Sequence, residues 1–211
     1  MRKIGIFGGT FNPIHFGHLR VALECKQALS LDEMRMMICS QPPHREHPGV
    51  TALQRKAMLE LATAGDSDLI LDTREMDRSG LSYSIDTLVS LRSDFPDDAL
   101  FMVIGSDSFQ SLDSWHRWEE LLDYCHIVIA RRPDNLSDET SPIGITLQDH
   151  FITHSKSDIK DKSGLLIPVV VSQLEISSTT IRGLIKQAKS PKYLLPDSVL
   201  HYIKENSLYL L

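Results

Sequence analysis

His15 and His18 stand three residues apart in a stretch, Gly5 to His18 (GIFGGTFNPIHFGH), that also holds Gly8, Gly9 and an Asn12-Pro13 pair. Histidines at that spacing fall on one side of an opening helical turn. Aimed at one phosphate, two imidazoles can donate hydrogen bonds to its oxygens and stabilise charge that grows during a transfer, with no residue becoming a covalent nucleophile. Gly8 and Gly9 let the backbone approach a ligand or take positive φ, and Pro13 stiffens the loop. No GxxxxGK[ST] is present and the glycines do not follow GxGxxG, so the other phosphate loops do not account for the stretch.

A second anion-binding arrangement lies near the other end, in Ile176 to Arg182 (ISSTTIR). Ser177 or Ser178 is a good helix N-cap, the amides that follow are free, and Arg182 lies about one turn further on, where its guanidinium can hold phosphate oxygens in a fork. Taken alone, such a segment is simply a cap.

The elements that must position these residues are legible from periodicity. The apolar run Ile4 to Phe7 reads as a first strand, and the helical spacing after Gly17 as a first helix, which places the histidines in the turn between them. In an open parallel sheet that turn lies at the carboxyl edge, where ligands bind. Further strands are expected at Met34 to Cys39, Asp68 to Thr73, Ala99 to Ile104, His126 to Ala130 and Leu165 to Val171. Between them, helices are expected from a Thr51/Gln54 capping box to Gly65, from Tyr83 to Ser93, and, rich in tryptophan, from Trp115 to Asp123. A last helix starts at Pro196 and ends near Asn206. Alternating strands and helices predict a doubly wound α/β fold with a parallel sheet and right-handed crossovers. From 132 to 163 the periodicity is lost, and a mobile surface insertion in a single domain is the expectation.

With both segments in place, the chain resembles the nucleotidyltransferase superfamily. GGTFNPIHFGH is similar to its (H/T)xGH signature and ISSTTIR to its ISSTxIR motif, in the same chain order. Within that superfamily, several further segments resemble the bacterial nicotinate-nucleotide adenylyltransferases. Pro42-Pro43-His44-Arg45 is similar to their PPHK loop, with a forked Arg in place of the point-charge Lys. Leu81 to Leu88 (LSYSIDTL) resembles SYTxDTL, with Ser84 keeping the hydroxyl of the family's Thr, and Gly105-Ser106-Asp107 resembles GxD. Leu112 to Trp118 resembles LxxWxxW, and Tyr193 to Tyr209 the closing YLxPxxVxxYIxxxxLY, which the shorter phosphopantetheine relatives lack.

The resemblance implies a Rossmann-like nucleotidyltransferase domain over residues 1–211, with a small C-terminal helical appendage from about 177. It implies transfer of AMP from ATP to nicotinate mononucleotide by direct in-line attack, giving deamido-NAD and pyrophosphate, a step of NAD biosynthesis. His15, His18 and Arg182 would be catalytic. ATP would be held by Gly8, Gly9, Thr10, Phe11, Gly105, Asp107, Ser177, Ser178 and Thr179 together with those three. His44, Arg45, Ser84, Trp115 and the amide of His116 would hold the nicotinate nucleotide, Trp115 by stacking on the pyridine. The structural alternatives are a helix-packing anchor for Trp115 and an N-cap role for Asp107, which could hold alongside its ligand role; Trp118 is read as core, and Arg131 and Arg132 are further candidate phosphate contacts. Mg2+ would be carried by the ATP phosphates, keeping most of its waters, so no metal site on the protein is implied. His44 and His47 are spaced as metal ligands can be, but no cysteine or second histidine pair lies nearby. Nicotinamide mononucleotide or phosphopantetheine are alternative acceptors, and a silent nucleotide sensor on the same fold is an alternative of another class.

Composition bounds the rest. At 211 residues, 42% hydrophobic and 24% charged, the chain can bury a full core. A net charge of -6 argues against a nucleic-acid partner. Cys25, Cys39 and Cys125 are odd in number and unpatterned, as expected of reduced thiols in the cytoplasm. The amino-terminal apolar run is cut by Gly5, Gly8 and Gly9, unlike a signal peptide, and no run approaches the roughly 20 residues that span a bilayer. Monomer and homo-oligomer are both compatible with the sequence.

Overall fold

The structure is a computed structural model that describes residues 1–41, 49–131, 138–152, 159–172 and 174–210. Among these, six strands form one parallel sheet: β1 (Lys3–Gly9), β2 (Glu33–Ile38), β3 (Leu69–Asp72), β4 (Ala99–Gly105), β5 (His126–Arg131) and β6 (Leu166–Val170). Their order is β3-β2-β1-β4-β5-β6, and each neighbouring pair is parallel. This is the doubly wound arrangement expected, with each strand in its expected place to within a residue or so at either end.

The strands are apolar on both faces because both faces are covered. Along β4, Phe101 and Val103 enter one core while Leu100, Met102 and Ile104 enter the other. The first core is filled by α1 (Phe16–Leu29), α2 (Ala52–Thr63), α7 (Ser178–Lys186) and α8 (Asp197–Glu205), through Ala22, Met58, Ile181 and Val199 among others. The second is filled by α3 (Ser84–Asp94), α4 (Ser106–Gln110), α5 (Leu121–Tyr124) and α6 (Pro142–Thr146), through residues such as Leu88, Phe109, Leu121 and Ile143. The C-terminal helices expected as an appendage are thus integral to the first core. Among the described residues no helix is long and apolar enough to cross a membrane.

The strand order reverses between β1 and β4, so the connections leaving these two adjacent strands run to opposite faces and open a crevice at the carboxyl edge. The candidate residues that follow β1 and β4 fall there because β1 ends at Gly9 and β4 at Gly105.

Two stretches differ from expectation. The tryptophan-rich helix over 115–123 is broken into 3-10 turns at Leu112–Ser114 and Trp118–Glu120, followed by the single turn of α5. Arg117 takes a left-handed conformation (φ 53, ψ 40) and Trp115 an extended one (φ -80, ψ 146), neither of which continues a right-handed helix. Within the segment 132–163, the described residues include α6, whose Ser141 cap accepts from the Gly144 amide at 3.1 Å and is followed by Pro142. Asp138, Ile143 and Ile159 are buried, so the described part of this segment contributes to both cores, while residues 132–137 and 153–158 lie outside the described ones.

Candidate active site

The loop after β1 is shaped by close contacts that leave few residue types possible. A Cβ on Gly9 would lie 2.8 Å from the Phe11 ring, and Phe11 itself adopts φ 46, a conformation rare for a bulky side chain. Its ring is buried and meets His18 edge-on, with centroids 5.2 Å apart. The Asn12-Pro13 peptide bond is cis.

His15 is the N-cap of α1, with extended backbone angles (φ -151, ψ 170), and His18 lies in the first turn. The two rings stack, with centroids 3.6 Å apart and planes at 24°. Gly17 permits this stack, because a Cβ there would lie 3.0 Å from His15 Nδ1. Burial lowers the His15 pKa to about 4. Burial, and then the like charge of His15, lowers that of His18 to about 3. Both imidazoles are therefore neutral near pH 7, each with one N–H donor and one acceptor nitrogen. Among the described residues Nδ1 of each ring is buried without a hydrogen-bond partner, that of His15 lying against Gly17.

The second motif is tied directly to the first. Ser178 Oγ donates to the Pro13 carbonyl at 2.9 Å, and Arg182 Nη1 donates to the Asn12 carbonyl at 2.7 Å. Arg182 Nη2 reaches Thr179 Oγ1 at 3.2 Å. Ser177 is the N-cap, accepting from the Thr180 amide at 3.0 Å, so the start of α7 is set beside the histidine loop. The order of the two motifs in the chain gave no hint of direct contact.

Together they line a cleft of about 740 Å3, a volume in the range of small-molecule sites. Gly8, Gly9, Thr10, Phe11, His15, His18, Gly105, Asp107, Ser177, Ser178, Thr179 and Arg182 all line it, and so do Ser84 and Trp115 from the segments expected to choose the second substrate. Asp107 is exposed in the first turn of α4, whose N-cap is Gly105, so its expected capping role is not seen. Trp115 is half-buried and packs on the second core while also facing the cleft, which joins its two expected roles, and Trp118 packs on that core alone. His116 does not line the cleft; its ring lies against Tyr83, 4.4 Å between centroids. Arg131 does not line it either, being paired with Glu139 at 3.0 Å. His44, Arg45, His47 and Arg132 lie outside the described residues.

Sequence reasoning missed two residues that hold the loop from behind. Tyr209 Oη donates to Asn12 Oδ1 at 2.6 Å, and Arg55 Nη1 donates to the Thr10 carbonyl at 2.8 Å. The signal for Arg55 was its place on the apolar stripe of α2, three and four residues before the buried Met58 and Leu59.

The chain is similar to known proteins over nearly its whole length. A family model described as cytidylyltransferase-like matches residues 6–184. A Pseudomonas aeruginosa protein named "Probable nicotinate-nucleotide adenylyltransferase" is 46% identical over 212 residues, covering 99% of this chain and 97% of its own. A Methylococcus capsulatus protein of the same name is 43% identical over 207 residues, covering 98% and 99%. The solved structure of Plasmodium falciparum nicotinic acid mononucleotide adenylyltransferase complexed with NaAD has the same fold, with a TM-score of 0.75 at 18% identity over 99% of this chain and 98% of that one. By these matches the chain belongs to the cytidylyltransferase-like family and, within it, to the nicotinate-nucleotide adenylyltransferases.

Proposed function

We propose that the protein transfers AMP from ATP to nicotinate mononucleotide, releasing pyrophosphate and deamido-NAD. The observation that carries this reading is the stacked, neutral His15–His18 pair in one cleft with Arg182 and Trp115. Membership of a family whose relatives bear that name supports the same substrate pair.

The attacking group is a phosphate monoester, already an anion, so no general base is needed and catalysis reduces to positioning and charge stabilisation. An oxygen of the mononucleotide phosphate forms a bond to the α-phosphorus as the bond to the bridging oxygen of pyrophosphate breaks opposite it. His18 lies nearest the α-phosphate in this reading and, with His15, donates to oxygens that gain charge in the transition state. Bound phosphates raise the imidazole pKa values, so protons enter the pair with the nucleotide. Ser178, Thr179 and Arg182, with the α7 amides, hold the β and γ groups, and Gly8, Gly9, Thr10 and Phe11 bring backbone close to them. Gly105 and Asp107 receive the nucleoside, the carboxylate accepting from ribose hydroxyls. Trp115 stacks on the pyridine while the Ser84 hydroxyl meets its carboxylate, and in this reading His44 and Arg45, outside the described residues, complete the mononucleotide side.

Among the described residues no three His, Cys, Asp or Glu side chains converge on a metal position. Of the two carboxylates that line the cleft, Asp107 is exposed and Glu75 is buried, accepting from Thr87 Oγ1 at 2.6 Å, and our reading has Mg2+ carried by the phosphates of ATP. When bound there, Mg2+ would offset charge on the departing pyrophosphate. We also assign the protein to the cytoplasm, a reading supported by its unpatterned cysteines.

The test is product identification: purified protein with ATP, magnesium and nicotinate mononucleotide should form deamido-NAD and pyrophosphate one for one. Binding of both nucleotides without pyrophosphate release would favour the sensor instead.

A further inference from the structure

Arg55 is the largest fully buried side chain among the described residues, 1% exposed, yet it makes no ion pair with any of them. A guanidinium buried against backbone carbonyls, with no anion among the described residues, calls for a reason beyond packing. Its fork is spent on three backbone carbonyls. Nη1 donates to Thr10 at 2.8 Å and to Cys39 at 2.6 Å, and Nη2 to Ser40 at 2.9 Å.

Thr10 belongs to the loop after β1, and Cys39 and Ser40 to the loop after β2. The second loop continues the connection: the Ser40 and Gln41 amides donate to Ser82 Oγ at 3.1 and 3.2 Å, and the Ser82 amide donates to the Gln41 carbonyl at 2.9 Å. Ser82 and Ser84 both line the cleft at the end expected to hold the pyridine. A hydrogen-bonded path therefore runs from the phosphate loop to the pyridine end, with Arg55 as the joint between the two loops. In a trans peptide the C=O and the following N–H point opposite ways, so the bond to Thr10 also turns the Phe11 amide away from the guanidinium.

We infer that Arg55 is a positioning residue that sets the separation of the two substrates by pinning the carbonyls of both loops with one planar fork. The inference rests on the adenylyl-transfer reading. In-line transfer needs the attacking oxygen close to the α-phosphorus, and a misplacement of about 1 Å costs on the order of 100-fold in rate. Lysine at this position would keep the charge and the aliphatic stem but replace the fork with a point donor, and could not hold both loops at these distances.

The experiment compares wild type with Arg55→Lys and Arg55→Met in three measurements: melting temperature, affinity for ATP alone and for nicotinate mononucleotide alone, and the single-turnover rate with both bound. Arg55→Lys is expected to fold, to bind each substrate within about threefold of wild type, and to transfer about 100-fold more slowly, with Arg55→Met at least as slow. Full transfer rate in Arg55→Lys would show that charge alone matters and overturn the inference. Weakened binding with an unchanged transfer rate would overturn it too, and an unfolded Arg55→Lys would assign the residue to folding instead. A wild-type protein that released no pyrophosphate would fail the functional reading itself.

Discussion

The rings of His15 and His18 lie face to face, 3.6 Å between centroids, with Nδ1 of each buried and unpartnered among the described residues. Two neutral imidazoles tolerate that contact, whereas two imidazolium ions would repel at short range with little water between them. The pair is thus held uncharged at neutral pH, beside the fixed positive charge of Arg182 in the same cleft.

One consequence is a pH-dependent stability. The folded pKa values, about 4 for His15 and about 3 for His18, lie below the ordinary 6.5. Between these limits the unfolded chain binds more protons, so stability rises with pH. The contribution is complete above about pH 6.5 and is lost on acidification toward pH 4 and then 3. The His15→Gln/His18→Gln protein should show a shallower fall in melting temperature than wild type between pH 7 and pH 5, by calorimetry. Parallel curves would place the protons elsewhere.

Replacing His18 with alanine should lower turnover far more than it weakens ATP binding. A donor aimed at developing charge is worth on the order of 100- to 1,000-fold in kcat, while the dissociation constant for ATP should change by less than about fivefold. Rapid-quench kinetics beside calorimetric titration separate the two. Equal losses would mean a binding role only.

Gly17→Ala tests the stack without removing either ring. The added Cβ would lie 3.0 Å from His15 Nδ1 and 3.1 Å from Cε1, so the ring has to give by a few tenths of an ångström. We expect kcat to fall by about 10-fold with the melting temperature nearly unchanged, since the shift is local. An unaltered kcat would show that the ring separation is not critical.

Trp115 faces the cleft from a turn that also packs on the second core. Trp115→Ala should raise KM for the mononucleotide by about fivefold, with Trp115→Phe intermediate and KM for ATP nearly unchanged, since stacking is worth about 1 kcal/mol. Equal effects on both KM values would reduce the residue to a packing anchor.

How much of this was legible in the sequence depended on the range of the interaction. β4 was readable because a strand buried on both faces must be apolar throughout, as Ala99 to Ile104 are. The histidine loop was readable because its residue types serve one local purpose. The breakdown of 111–124 into short turns was not, because it depends on a left-handed Arg117 that no propensity announces. Nor was the work of Arg55 and Tyr209, whose partners lie 45 and 197 residues away in sequence, in carbonyl and amide oxygens that side-chain pattern does not reveal.

The most direct test of the account is pyrophosphate release with ATP and magnesium, comparing nicotinate mononucleotide with nicotinamide mononucleotide and phosphopantetheine in one assay. The account predicts that kcat/KM for the acid exceeds that for the amide by about 100-fold or more, as a site built to hydrogen-bond a carboxylate should discriminate, with no release from phosphopantetheine. Comparable rates for acid and amide, or release from phosphopantetheine alone, would contradict it.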